Sequence, residues 1–140
     1  MTIYDVFPKT IKTVDLVSLQ DKKIKENLDK ILKEQDYLWN NDYREYGHYS
    51  GNQYVLDKPE LKDLKKEIAF KVLEFGTKDY GHDLKAIRVI SSWTHEIGTD
   101  QFIPAQRHAN SYISGCVYLK DGPTICFTDN EDGNKMFNFS

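Results

Sequence analysis

Helical spacing of apolar residues occurs in two stretches of this chain and nowhere after Lys85, where the period drops to two. That order constrains the fold more than any single motif. A helix buries a stripe and a strand buries alternate residues, so neither pattern can adopt the other's conformation without exposing apolar side chains. In the first stretch, starting at Ser18, Ile24, Leu28, Ile31 and Leu32 fall at i, i+4, i+7 and i+8 on one face. Lys22, Lys23, Lys25, Glu26, Lys30 and Lys33 fill the other, as a solvated face. Ser18 with Asp21 is the candidate cap, a side-chain oxygen accepting an otherwise orphaned amide. The second stretch is punctuated at both ends. Asp57 and Glu60 form a capping-box pair, Pro59 sits in the first turn, and Gly76 closes the helix. Leu61, Leu64, Ile68, Val72 and Phe75 make its apolar stripe.

The rest of the chain reads as loops and strands. Thr2–Phe7 is strand-like and stops at Pro8, which has no amide hydrogen for a ladder. Asp36–Gln53 loses periodicity and predicts a long loop carrying Tyr37, Trp39, Tyr43, Tyr46 and Tyr49. These aromatics either anchor the loop on the core or line the mouth of a site. After Lys85, Ile87, Val89, Ser91 and Trp93 alternate with Ala86, Arg88, Ile90 and Ser92. A polar loop, Gly98–Ala105, leads to the run Gln106–Leu119. Two further strands, Thr124–Thr128 and Lys135–Phe139, follow the turn signals Asp121–Gly122 and Asp132–Gly133. Asp129–Gly133 has the acidity of a calcium loop but not its alternating donors, and reads as a polar hairpin turn. Helices followed by antiparallel strands predict an α+β fold, a sheet braced by two N-terminal amphipathic helices. With 140 residues, positions 1–140 form a single domain around one core.

Charge and composition narrow the function classes. The net charge of −3 is spread over interspersed acids and bases, which gives no support to direct nucleic-acid binding. No basic-then-apolar leader opens the chain and no apolar run reaches bilayer length, so the expected location is cytoplasmic, away from membranes. Cys116 and Cys126 lack CxxC spacing and are expected to be reduced core thiols.

The run Gln106–Leu119 concentrates the chemistry. As an extended strand it points Gln106, His108, Asn110, Tyr112, Ser114, Cys116 and Tyr118 to one side. The other side carries Ala109, Ile113, Gly115, Val117 and Leu119, an ordinary core face. So many polar groups on one enclosed face need partners or a ligand, as in the interior of a small barrel or jelly roll. Among the other histidines, His95–Glu96 is a candidate replacement ligand or an exposed strand end. His82–Asp83 fits a turn beside Gly81, and His48 sits in the aromatic loop.

An ordered set of motifs accompanies this run: Phe7–Pro8, Tyr54–Asp57 ahead of Pro59–Leu64, Ser92–Trp93, Gly98, and then Gln106-Arg107-His108-Ala109-Asn110-Ser111 with Ser114–Gly115 and Tyr118–Leu119. Together they resemble short, often phage-encoded 2-oxoglutarate/Fe(II)-dependent oxygenases, whose signature is H-x-H-[PA]-N-S followed by S-G and Y-L. The resemblance implies a double-stranded β-helix, a cupin-like jelly roll, that binds Fe(II) and 2-oxoglutarate and hydroxylates a small molecule or a protein side chain. It makes His108 the metal ligand and Asn110 a cofactor-site residue, a neutral amide if it is the second donor. Tyr118, which shares the face of His108, is either a hydrogen-bond donor to the bound 2-oxo acid or a tyrosine packed in the barrel. If the chain is phage-encoded, its location is the host cytoplasm. Gln106 stands where the family has its first histidine. The distal histidine and the basic 2-oxoglutarate clamp have no counterpart before Ser140, which implies a truncated frame, an incomplete barrel and an unpaired edge near Lys135–Ser140. A second reading stays open, in which the same fold with a degenerate metal site serves as a ligand-binding or virion-associated interaction module.

Overall fold

The computed structural model describes residues 10–34, 37–38, 48–103, 108, 111–120, 125–128 and 136–139. The chain divides into two compact units. One comprises Met1–Glu34 with Tyr54–Ser92, the other Gln35–Gln53 with Trp93–Ser140. The predicted strand Thr2–Phe7 lies outside the described residues.

The first unit is helical. A 3₁₀ turn, Val17–Gln20, leads into α1, Lys22–Glu34. Asp21 caps it: Oδ1 accepts the amides of Lys23 at 2.9 Å and Ile24 at 3.1 Å, the second and third helical positions. Ser18 plays a different part from the expected cap. Its amide and that of Val17 donate to the two carboxylate oxygens of Glu67, at 2.9 and 3.0 Å. The predicted stripe is the buried one, with Ile24, Leu28 and Ile31 all in the core.

The second helix, α2, spans Lys62–Glu74 and begins later than expected. Two 3₁₀ turns, Val55–Asp57 and Pro59–Leu61, precede it, and no side chain caps its start. The Asp57–Glu60 capping box fails for a local reason. It requires Lys58 to be helical, but Lys58 precedes Pro59 and adopts φ −62°, ψ 132°, the extended conformation that a following proline enforces. Asp57 instead pairs with Lys65. Leu61 and Leu64 are buried, and Ile68 packs against the core beside Leu16, Leu19 and Leu56. The helix does not stop at Gly76, which is buried inside a π turn, Phe75–Asp79. Thr77 Oγ1 donates back to the Leu73 carbonyl at 2.8 Å, the kind of side-chain competition that loosens a helical ladder. Gly81, at φ +68°, ends the run, with the His82 amide reaching back to the Gly76 carbonyl at 3.0 Å.

The predicted strand Ala86–Trp93 forms no ladder beyond an isolated parallel bridge between Tyr54 and Ser92. The Ser92 carbonyl takes the Val55 amide at 3.0 Å and its hydroxyl takes the Leu56 amide at 2.9 Å, so Ser92 serves the 3₁₀ turn. Its alternation survives in burial alone: Ile87 and Val89 are half-buried, while Arg88 and Ile90 are exposed.

The second unit holds short antiparallel pairings. β1, Tyr37–Leu38, pairs with β2, His48–Ser50, which pairs with β3, His95–Glu96. The expected loop Asp36–Gln53 is thus tied at both ends. Ser50 is fully buried and fixes the crossing of β2 with the chain before β3. Its amide donates to the Thr94 carbonyl at 2.9 Å, and its hydroxyl accepts from the Thr94 amide at 3.0 Å and donates to the Asn52 carbonyl at 2.8 Å. β4, Ile125–Thr128, pairs with β5, Met136–Phe139, in the hairpin that the Asp132–Gly133 turn signal predicted. β5 has no second neighbour among the described residues.

No barrel or double-stranded β-helix forms among the described residues. The described part of the central run, 111–120, lies outside every ladder, and Tyr112, Val117, Tyr118 and Leu119 are exposed. The start of this stretch makes local bonds instead. Ser111 Oγ donates to the His108 carbonyl at 3.3 Å and lies 3.1 Å from Ser114 Oγ. Such side-chain-to-backbone bonds offer the chain an alternative to strand pairing. Cys116, expected in the core, is exposed and unbridged.

Candidate functional site

The second unit brings two histidines to one indole. Trp93 and His95 are two residues apart on extended chain, so both project to the same side. Trp93 Nε1 donates to His95 Nε2 at 2.7 Å, with the rings edge-to-face at 6.2 Å. The His108 ring also meets Trp93 edge-to-face, with centroids 5.2 Å apart and planes at 86°. His95 and His108, distant in sequence, therefore share a neighbour. Both lie at the surface.

Electrostatics link the pair. Burial of its ring pushes the His95 pKa below 6.5, and the positive charge that His108 would carry pushes it further in the same direction. A lowered pKa keeps His95 neutral near pH 7, the form that accepts the indole hydrogen. Thr94 Oγ1, next in sequence to both Trp93 and His95, is buried without a hydrogen-bond partner among the described residues.

The other expected site residues are placed differently. Tyr118 has no ring contact or hydrogen bond to this cluster among the described residues. Its hydroxyl lies near Cys116 and the backbone of Ile125. Burial raises its pKa, a Cys116 thiolate adds to the rise, and the Ile125 backbone opposes it. Asn110 and Gln106 lie outside the described residues. His82 belongs to the first unit, where its ring leans on Tyr80 at 5.5 Å, consistent with a turn. The side chains of His48 and of the aromatics between 36 and 49 lie outside what is described.

Trp93 is the member that strand patterning did not single out as chemical. The signal was present in W-x-H, a spacing that puts an indole donor beside an imidazole acceptor on any extended segment.

The donors can be compared with the group that the resemblance implies. Imidazole suits Fe(II), and two imidazoles lie around one side chain. A facial triad also needs a carboxylate, and no group of three or more His, Cys, Asp or Glu side chains assembles among the described residues. His95 moreover spends its Nε2 lone pair on Trp93. The described donors do not make up a complete iron centre.

Comparison with known proteins returns no matching family model, no matching curated protein and no matching solved structure. No helix among the described residues is long and apolar enough to cross a membrane.

Proposed function

We propose that this chain is built on the plan of a 2-oxoglutarate/Fe(II)-dependent oxygenase, with a double-stranded β-helix as its ancestral fold, His108 as its iron ligand and His95 as the second imidazole. One observation carries the reading: the histidine that lands on the family motif meets another histidine across Trp93. Iron would supply the oxidising chemistry, and 2-oxoglutarate its two electrons. This chain's own residues would supply imidazole donors and an aromatic wall. The substrate class is a small molecule or a protein side chain. Asn110 and Tyr118 remain the proposed cofactor contacts.

A second reading is favoured because no group of three or more His, Cys, Asp or Glu side chains assembles among the described residues. It is a ligand-binding or virion-associated interaction module on the same plan, with a degenerate metal site and no turnover. Anaerobic Fe(II) titration of the 140-residue chain, with and without 2-oxoglutarate, separates the two. A visible charge-transfer band that requires both additions and disappears in His108→Ala supports the oxygenase reading. Fe(II) binding without that band supports the binding module. No band and no thermal shift with Fe(II) would sink the oxygenase reading and leave the interaction module.

A further inference from the structure

Ahead of the first 3₁₀ turn, Thr10–Asp15 is exposed and has no regular secondary structure, and Leu16 is the first residue to pack against the core. Lys12 ties this stretch down. Its ammonium pairs with the Asp79 carboxylate and stands 5.9 Å from the centroid of the Phe75 ring. Both partners belong to the π turn that follows α2, a geometry that is rare in helices and recurs where a helix serves a function. Further along, Glu67 of α2 holds the amides of Val17 and Ser18. From Lys12 to Val17 an extended chain reaches about 17 Å, and from Glu67 to Asp79 a helix advances about 18 Å. The stretch therefore lies antiparallel to α2, with its two attachments spaced as the helix spaces their partners.

The attachments differ in kind. Leu16 and Leu19 pack against the buried cluster, so the Glu67 end is anchored by the core. At the other end, the Lys12 and Asp79 side chains are 37% and 40% exposed, open to screening by salt. We propose that Thr10–Asp15 is a strap, hinged at Leu16 and latched by Lys12 over the π turn, which opens without unfolding the core and uncovers the Phe75 ring. Phe75 also meets Tyr80 edge-to-face at 5.1 Å, so the open strap bares one side of an aromatic pair. The strap is a low-stability element set on a stable one, and it does not depend on the oxygenase reading.

The test is native-state proteolysis of the full chain by thermolysin, which cleaves before bulky apolar residues such as Ile11 and Val14. A closed strap cannot enter the protease cleft, so the cleavage rate within Thr10–Leu16 follows the open population. Asp79→Asn should raise that rate roughly twofold, and Lys12→Gln, which also removes the ring contact, on the order of fivefold. Lys12→Arg should stay near the wild-type rate. Strap opening exposes little surface, so wild-type cleavage there should barely change with urea below the unfolding transition. A second measurement needs no variant. The Lys12 side-chain methylene protons should resonate upfield, shielded by the Phe75 ring, and return toward ordinary shifts between about 0.05 M and about 1 M NaCl. Cleavage that rises with the full urea slope of global unfolding overturns the strap, because the segment then opens only with the core. An unchanged cleavage rate in Lys12→Gln, or Lys12 protons that are unshifted at low salt, overturns the latch.

Discussion

Removing the carboxylate of Glu67 should loosen the first unit by an amount that its geometry sets. The side chain stands on α2, yet its two oxygens accept the amides of Val17 and Ser18, 50 and 49 residues earlier, at 3.0 and 2.9 Å. Those amides open the 3₁₀ turn that feeds α1, so Glu67 works as a cap supplied by another helix. Glu67→Ala orphans both. Val17 is 66% exposed and water can replace its bond, whereas the Ser18 bond is partly buried and its loss costs more. A side-chain cap is worth about 1 kcal/mol, and the two charged bonds together should contribute about 1–2 kcal/mol. Glu67→Gln keeps one acceptor oxygen and should lose roughly half of that. In urea, with a slope of about 2 kcal/mol/M, the Ala variant should unfold about 0.5–1 M earlier and the Gln variant between it and wild type. Glu74→Ala is the control, because Glu74 makes only a 3.7 Å i,i+4 contact with exposed Lys78, worth a few tenths of a kcal/mol at most. A Glu67→Ala midpoint no lower than that of Glu74→Ala would refute the argument, as would a Gln variant as unstable as the Ala variant.

Two further outcomes follow from burial and charge. Leu61 is fully buried among Ile24, Leu28, Val55 and Leu64, so Leu61→Ala should cost about 2–5 kcal/mol in chemical denaturation; a loss below about 1 kcal/mol would mean that this cluster is not the core of the unit. The His95 pKa is lower in the folded chain than its ordinary 6.5, through burial first and the His108 charge second. The unfolded chain therefore takes up that proton first. The His95 contribution to stability is complete above pH 6.5, falls as the pH drops toward the lower folded pKa, and is flat below it. Urea midpoints from about pH 8 to about pH 5 should fall more steeply in wild type than in His95→Gln, and parallel curves would contradict the assignment.

The parts legible in the sequence were those fixed by near neighbours. The stripe of Ile24, Leu28 and Ile31 follows from the helical period, and the Asp21 cap from the chemistry of a short carboxylate beside orphan amides. The turn signal at Asp132–Gly133 anticipated the pairing of β4 with β5. The one at Asp121–Gly122 pointed to a pairing of β4 with the central run that is not found among the described residues. The Asp57 cap was misread because the pre-proline restriction on Lys58 outweighs a favourable i, i+3 pair. Ile87 and Val89 do face inward, but alternation reports which side a residue buries, not which strand takes its amides, and that partner lies elsewhere in the chain. In the central run, Ser114 fits the strand's polar face and Ser111 falls on the opposite side, yet both have a local use. Ser111 bonds the His108 carbonyl and lies 3.1 Å from Ser114 Oγ. At the candidate site, the motif singled out His108, whose ring the structure places against Trp93. Its meeting with His95 depends on which segments cross, information that no local pattern carries.

Each unit is assembled from two separated lengths of chain, and the lengths alternate. Gln35–Gln53 leaves the first unit before that unit is whole, and Tyr54–Ser92 returns to it. During synthesis, α1 must wait for Leu61 and Leu64 to bury its stripe, and β2 must wait for His95 and Glu96 to gain its second neighbour. Neither unit can be produced by cutting the chain once, and a proteolytic nick between Gln35 and Ser92 would leave both with pieces on each fragment.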